Sequence, residues 1–168
     1  ITVFQHGTDV DVVRGDATAA YGSALKRAVR TLVYLRPGTL LVYDSLASGK
    51  PRTWEWNIHA LKKMGTDGSR SFELEEGGER LCGKVLEGPE MIFTQTNSFP
   101  DDPKGDEPIQ WHGTFSTSAK HPSLNMLVML TVGCMPASVV VTKSDTHLHV
   151  TVGKYKVTFS GEGQVELQ

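Results

Sequence analysis

The chain has 168 residues, of which 39% are hydrophobic and 21% are charged, and its formal net charge at pH 7 is -2. This length suits one domain with a real hydrophobic core, and the composition excludes an intrinsically disordered chain. The charge gives no electrostatic reason to expect a nucleic acid or an anionic membrane as partner, and no apolar run approaches the roughly 20 residues that a membrane-spanning helix needs.

The chain begins on a strand-like sequence at residues 1–4 and has no initiating Met, so we expect it to be a piece of a longer protein. Residues 9–12 alternate between polar and apolar types, as in a strand with one buried face. The Ala-rich residues 16–21, which follow a potential Asp cap, are the only helix candidate.

A hairpin is predicted next. Residues 25–35 form a long strand, residues 36–39 contain a Pro-Gly turn, and residues 40–46 form the second strand of the hairpin. The basic residues of this region suit the carboxylates and sulfates of an acidic sugar chain; they are Lys26, Arg27, Arg30 and Arg36. The alternative is that Arg27 pairs with Asp44 or another acid of the hairpin, and both interpretations can hold for different residues.

The strand predicted at residues 53–60 carries the most informative pattern. Alternation places Trp54, Trp56 and Ile58 on one face, which is predicted to be core. The opposite face carries Glu55, Asn57 and His59, a carboxylate, an amide and an imidazole in a row. Such a face suits a polar cleft or a metal site, and the alternative is a solvated face on which a neighbour satisfies His59.

Further short strands are predicted up to the C-terminus, separated by Gly and Pro turns and by a long polar loop at 97–108; they are 72–75, 80–86, 91–96, 111–118, 124–132, 138–143, 147–152, 155–160 and 164–167. Many short strands of this kind predict an all-β fold. We expect an antiparallel β-sandwich that forms a single domain over residues 1–168.

Other histidines and the two cysteines are weaker candidates. His147 and His149 point outward from one strand, but two imidazoles without a third ligand are usually surface residues, and His112 and His121 have no patterned partner. Cys82 and Cys134 each lie in an apolar strand pattern, which favours two buried free thiols. A disulfide between them is the alternative in an oxidising compartment.

Four segments occur in a characteristic order: VRGDATAAY at 13–21, KRAVRTLVYLRP at 26–37, LVYDSL at 41–46 and WNIH at 56–59. Together they resemble the β-domain of heparinase II/III-like polysaccharide lyases. In that family a Gly-Asp…Tyr segment leads to an Arg-rich strand, then to an apolar strand with an Asp, then to a Trp-x-x-His segment. The resemblance covers about residues 10–62, and the remainder is similar only in its general style of short strands.

The resemblance implies that the chain is the C-terminal β-sandwich part of a lyase that cleaves uronic-acid-containing polysaccharide by β-elimination. Its partners would be the N-terminal helical α/α toroid of the same parent and the acidic polysaccharide. In the family, the base and the acid of the elimination come from the toroid and from a His-containing segment upstream of this chain. The resemblance therefore implies no catalytic residue here, no activity of the isolated chain, and a periplasmic or secreted location.

The resemblance also implies that His59 binds a structural zinc in the complete parent protein. The His and Asp that would join it have no assignable match in this chain, and a structural zinc normally takes four ligands, so no zinc is expected in the isolated domain. The substrate-binding residues remain unassigned. Alternatives are a free-standing carbohydrate-binding β-sandwich, with Trp111 or Tyr34 stacking on sugar rings, and a purely structural module.

Overall fold

The computed structural model describes residues 1–67, 70–98, 108–134 and 138–168, so most of the polar loop predicted at 97–108 lies outside the described residues. In these ranges the chain forms fourteen strands and one short turn of 3-10 helix (Thr18–Tyr21): β1 (Val3–His6), β2 (Val10–Asp16), β3 (Leu25–Leu35), β4 (Thr39–Arg52), β5 (Glu55–Ala60), β6 (Ser71–Glu76), β7 (Glu79–Glu87), β8 (Met91–Thr96), β9 (Trp111–Thr117), β10 (His121–Val132), β11 (Val139–Lys143), β12 (His147–Val152), β13 (Tyr155–Ser160) and β14 (Val165–Leu167). The prediction of an all-β fold is confirmed. No helix in the described ranges is long and apolar enough to cross a membrane.

Three antiparallel sheets build the domain. The central sheet has seven strands in the order β1-β2-β3-β4-β10-β7-β6, and two smaller sheets have the orders β11-β12-β13-β14 and β5-β9-β8. One hydrophobic cluster joins the central sheet to the four-stranded sheet, for example through Leu41, Tyr43 and Phe159. A second cluster joins it to the three-stranded sheet, for example through Val128 and Trp56. The central sheet is therefore covered by a smaller sheet on each face.

Strands β4 and β10 depart from the expected pattern of one buried face. Consecutive residues are buried at 41–45 in β4 and at 126–129 in β10. Successive side chains of a strand point to opposite faces, and here each face meets a different covering sheet. Alternation is lost in these strands because both of their faces are core.

The basic strand β3 pairs with β4 in a register that places Arg30 opposite Asp44. Arg30 donates to both carboxylate oxygens of Asp44, from Nε at 2.6 Å and from Nη2 at 2.7 Å. The alternative in which Arg27 pairs with Asp44 is therefore wrong. Directly opposed residues share a face of the sheet, and Arg27 lies on the other face of β3, so it cannot reach this acid.

The cysteines form a disulfide, Cys82–Cys134, which corrects the expectation of two free thiols. Strand β10 lies beside β7, and Cys82 is opposite Thr131. After β10 the chain turns through Gly133 and Cys134, both with positive φ, and the Gly133 amide donates to the Arg80 carbonyl at 2.7 Å. This turn returns Cys134 to β7.

The helix candidate at 16–21 contains only the single 3-10 turn. The Asp16 carboxylate accepts the amide N–H of Thr18 at 2.8 Å, which is the geometry of an Asx turn rather than of a helix cap. Hydrogen bonds from Thr18 also hold the pKa of Asp16 below its usual value.

Candidate functional site

The outer face of the three-stranded sheet carries the polar row predicted at residues 53–60. Trp54 and Trp56 are 6% and 5% exposed, whereas Glu55, Asn57 and His59 are exposed to solvent. The predicted register of this strand is confirmed. Trp54 lies just before β5, where its backbone N–H donates to Thr117 Oγ1 at 3.0 Å and its indole N–H donates to the His121 carbonyl at 3.0 Å.

Strand pairing extends this row across the sheet. His59 lies opposite His112, and Asn57 lies opposite Thr114. Strand β8 adds hydroxyls on the far side of β9, since Thr94 pairs with Thr114 and Thr96 with His112. We call this surface the polar face; it consists of Glu55, Asn57, His59, Thr94, Thr96, His112, Thr114 and Ser116.

A hydrogen-bond network organises the centre of the polar face. The Oδ1 atom of Asn57 lies 2.9 Å from His112 Nε2 and accepts the hydroxyl of Thr114 at 2.9 Å. An amide oxygen only accepts, so this contact requires a proton on His112 Nε2. The rings of His59 and His112 stack, with centroids 4.4 Å apart and planes inclined by 14°.

The prediction that His112 has no patterned partner is wrong, because it stacks on His59. The partnership depends on the pairing of β5 with β9, and strands β6 to β8 and the long polar loop separate these two strands in sequence. Residue spacing carries no signal for such a pairing. A histidine near the start of a predicted strand is the only hint that the sequence offers.

The polar face alone does not assemble a zinc site. Imidazole lone pairs lie in the ring plane, and two nearly parallel rings direct them side by side rather than to one point. Across the described ranges, one group of three His, Cys, Asp or Glu donors is close enough to hold a metal: Glu73, Cys82 and Cys134. Both sulfurs of that group belong to the disulfide. The described residues therefore do not supply the four ligands of a structural zinc around His59.

His147 and His149 remain exposed on β12, with ring centroids 6.2 Å apart. Each ring is held by a hydroxyl: His147 Nδ1 lies 2.7 Å from Thr146 Oγ1, and His149 Nδ1 lies 3.0 Å from Thr158 Oγ1. In the part of the chain that the structure describes, no third His, Cys or carboxylate donor joins them.

Trp111 and Tyr34, the two aromatic residues considered for stacking on sugar rings, each lie close to a cationic side chain. The Lys63 ammonium lies 5.4 Å from the ring centroid of Trp111. The Arg36 guanidinium lies 5.6 Å from that of Tyr34, whose hydroxyl donates to the Pro37 carbonyl at 2.6 Å. Each ring therefore has a cation over one of its faces, and both residues remain partly exposed.

Solved structures of a heparan sulfate lyase and of heparinase III share the fold of this chain. Heparan sulfate lyase HepC from Pedobacter heparinus matches with a TM-score of 0.66 and 13% identity over 99% of this chain. A heparinase III gene product matches with a TM-score of 0.70 and 10% identity, and a further heparinase III structure with 0.67 and 8%, each over 99% of this chain. No protein-family model matches the sequence, and neither does any curated protein.

The match covers nearly all of this chain but only 26–27% of each lyase. The resemblance predicted from the four sequence segments is confirmed at the level of fold, since this all-β fold is one that heparinase III and HepC carry within a longer chain. Identities of 8–13% show the fold alone. Activity, substrate and partners require a separate argument.

Proposed function

We propose that the chain is the C-terminal β-sandwich domain of a heparinase II/III-like polysaccharide lyase, whose parent cleaves uronic-acid-containing polysaccharide by β-elimination. The observation that carries the proposal is the fold likeness to such lyases over 99% of the chain. The four ordered segments in about residues 10–62 support it independently, because they rest on residue identity and not on shape.

In this proposal the domain is an accessory part, and the reactive groups lie elsewhere in the parent. The elimination needs a base, an acid and a group that neutralises the uronate carboxylate. The polar face is the outer surface of a sheet, exposed at Glu55, Asn57 and His59, and it does not enclose a substrate away from water. A helical toroid that precedes the domain in the parent is the proposed catalytic partner.

His59 is proposed to bind zinc only in the complete protein, where residues outside this chain supply the other ligands. Its ring is exposed and available, which supports this role. Asn57 does not hold its tautomer, because the amide oxygen of Asn57 is engaged by His112 and Thr114.

A periplasmic or secreted location belongs to the same proposal. The Cys82–Cys134 disulfide supports it, since such bonds persist mainly in oxidising compartments. Determining the redox state of these cysteines in protein taken directly from the source cells tests the location. Two free thiols there would contradict it.

The main experiment compares this chain with its full-length parent. Both are incubated with heparin, heparan sulfate and other uronate polymers, and the unsaturated product is followed by ultraviolet absorbance. We expect turnover by the parent alone, and a parent sequence that encodes a helical domain before this one. Turnover by the isolated chain, or a parent without such a helical domain, would contradict the proposal.

A further inference from the structure

A cluster of metal-ligating side chains lies outside the polar face, on strands β6 and β7 and the turn after β10. It consists of Glu73, Cys82 and Cys134, whose carboxylate oxygen and sulfur atoms all lie within 4.8 Å of one another. The three residues are half-buried and line a cavity of about 990 Å³. The cavity gives a small reductant and a metal ion access to them.

Backbone pairing holds this cluster together independently of the bond between the sulfurs. Cys82 lies directly opposite Glu73 in the pairing of β7 with β6, so their side chains share one face of the sheet. The turn that carries Cys134 is fixed to β7 by the hydrogen bond from the Gly133 amide to the Arg80 carbonyl, at 2.7 Å. We therefore expect the two thiols to stay close to each other and to Glu73 after reduction.

The Glu73 carboxylate is already oriented toward the sulfurs. Arg80 donates to its Oε1 atom from Nε at 2.8 Å and also from Nη2. The other oxygen, Oε2, lies 3.9 Å from Cys82 Sγ. A disulfide sulfur has no proton to donate, so Oε2 gains no hydrogen bond from this contact. A ligand whose second atom is fixed by a neighbouring residue is characteristic of metal sites.

The chemistry of the three ligands selects the metal. Thiolates are soft ligands that favour zinc over magnesium or calcium, and a zinc with three protein ligands takes a water as the fourth. Ligands of a tetrahedral zinc lie roughly 3–4 Å apart, so shifts of about 1–2 Å complete the site. We propose that Cys82, Cys134 and Glu73 bind Zn²⁺ when the disulfide is reduced. The disulfide and the metal exclude each other, so the redox state of the cysteines controls the site.

Reduction and metal binding are two separate steps. A dithiol reductant supplies two electrons and two protons, which convert the disulfide into two thiols, and the dithiol is oxidised to its own disulfide. Zn²⁺ then displaces the two thiol protons to solvent and binds both thiolates and the Glu73 carboxylate. Arg80 and Lys84, on the same strand as Cys82, offset the excess negative charge of these ligands. The proposal rests on these contacts and does not depend on the function proposed above.

The test compares metal binding by the oxidised and the reduced chain. The chain is reduced with a dithiol, which is then removed in the absence of oxygen because it binds metals itself. Cd²⁺ is the spectroscopic probe, since its bonds to thiolates absorb in the ultraviolet, and Zn²⁺ affinity is measured by competition. We expect the reduced chain to bind Zn²⁺ with a Kd of about 1 μM or tighter, and the oxidised chain to bind it about a hundredfold more weakly or not at all.

Variants assign the ligands. Cys82→Ser should weaken binding to the reduced chain about a hundredfold or more, because it removes a thiolate. Glu73→Gln should weaken it about tenfold, because a neutral amide oxygen replaces a carboxylate. Glu79→Gln is the matched control and should leave binding unchanged. It removes an exposed carboxylate from the opposite face of β7, where Glu79 lines a different cavity.

A stability measurement gives a second reading if reduction loosens the fold. Zn²⁺ should raise the urea midpoint of the reduced chain, or restore its folded amide signals, and leave the oxidised chain unchanged, since a ligand stabilises the state that binds it.

The proposal is overturned if the reduced chain binds no Zn²⁺, or if the oxidised chain binds it equally well. Binding by Glu73→Gln as tight as that of wild type would exclude the three-ligand site. A loss on Glu79→Gln as large as that on Glu73→Gln would show a general charge effect in place of a ligand.

Discussion

His59 and His112 stack across strands β5 and β9, with ring centroids 4.4 Å apart and planes inclined by 14°. His112 is itself anchored to Asn57 through Nε2 at 2.9 Å. This arrangement fixes one face of the His59 ring and leaves its edge free. His59 can therefore bind a metal ion in the plane of its own ring. The lone pairs of the two nearly parallel rings do not point to one position, so the pair cannot bind the same ion in this arrangement.

The buried face of β5 makes a stability prediction. Trp56 packs against Phe72 and Phe115, with ring centroids 6.4 and 6.2 Å away. Replacing Trp56 with Ala should lower the free energy of unfolding by about 3–5 kcal/mol, because it empties an aromatic core site. Urea denaturation measures the change.

Two further variants sharpen this measurement. The indole N–H of Trp56 is buried without a partner, so Trp56→Phe removes that cost along with some volume and should destabilise less than Trp56→Ala. Glu55→Ala, on the exposed side of the same strand, should change stability by no more than about 0.5 kcal/mol. Equal effects of Trp56→Ala and Glu55→Ala would show that the register is wrong.

Local features of the fold are readable from the sequence, and distant pairings are not. The strands predicted at 91–96, 147–152 and 155–160 coincide with β8, β12 and β13, because alternation and flanking turns are short-range signals. The pairing of β10 with β7 joins distant segments. The disulfide depends on that pairing, so the sequence leaves it only as an alternative to two free thiols. The His59–His112 stack depends on the pairing of β5 with β9, which the sequence does not indicate. Arg27 and Arg30 are both basic residues of the same predicted strand, and only the register of β3 with β4 shows that Arg30 is the one that pairs with Asp44.

The disulfide makes the next prediction. It links residues 52 positions apart, and such a link restricts the unfolded chain. Reduction, or the double substitution of Cys82 and Cys134 by Ala, should lower the free energy of unfolding by about 2–4 kcal/mol. Denaturation with and without reductant measures this, and the double variant serves as the control because reductant should not affect it. An unchanged wild-type midpoint after complete reduction, verified by thiol alkylation, would contradict the prediction.

Asp11 predicts a pH dependence of stability. Burial acts to raise its pKa, but hydrogen bonds from Arg36, Gly7 and His6 together lower the pKa below its usual 3.8. A carboxyl whose pKa is lower in the folded state stabilises the fold above its unfolded pKa, and this contribution disappears as the pH falls through the folded pKa. Asp11→Asn should therefore be less stable than wild type at pH 7, and the gap should close below about pH 4.

Urea midpoints measured from pH 7 to pH 2 for both proteins check this. Glu166→Gln, an exposed carboxyl on β14, is the comparison and should show no such closing gap. A gap between Asp11→Asn and wild type that widens on acidification would reverse the sign and exclude the proposed contribution.

Zinc content tests the role of His59. A single imidazole binds zinc too weakly to compete with water and buffer, and the chain supplies no further ligands around His59 among its described residues, so we expect the isolated chain to purify without stoichiometric zinc. The full-length parent should carry zinc, and His59→Ala in the parent should lose it. His149→Ala in the parent is the matched control, since it removes another exposed imidazole from a different sheet. Elemental analysis of purified protein measures the zinc content without any assay of activity.

Zinc retained by the full-length His59→Ala protein would remove His59 from the ligand set. Stoichiometric zinc in the short chain, lost on His149→Ala, would instead place the site at His147 and His149.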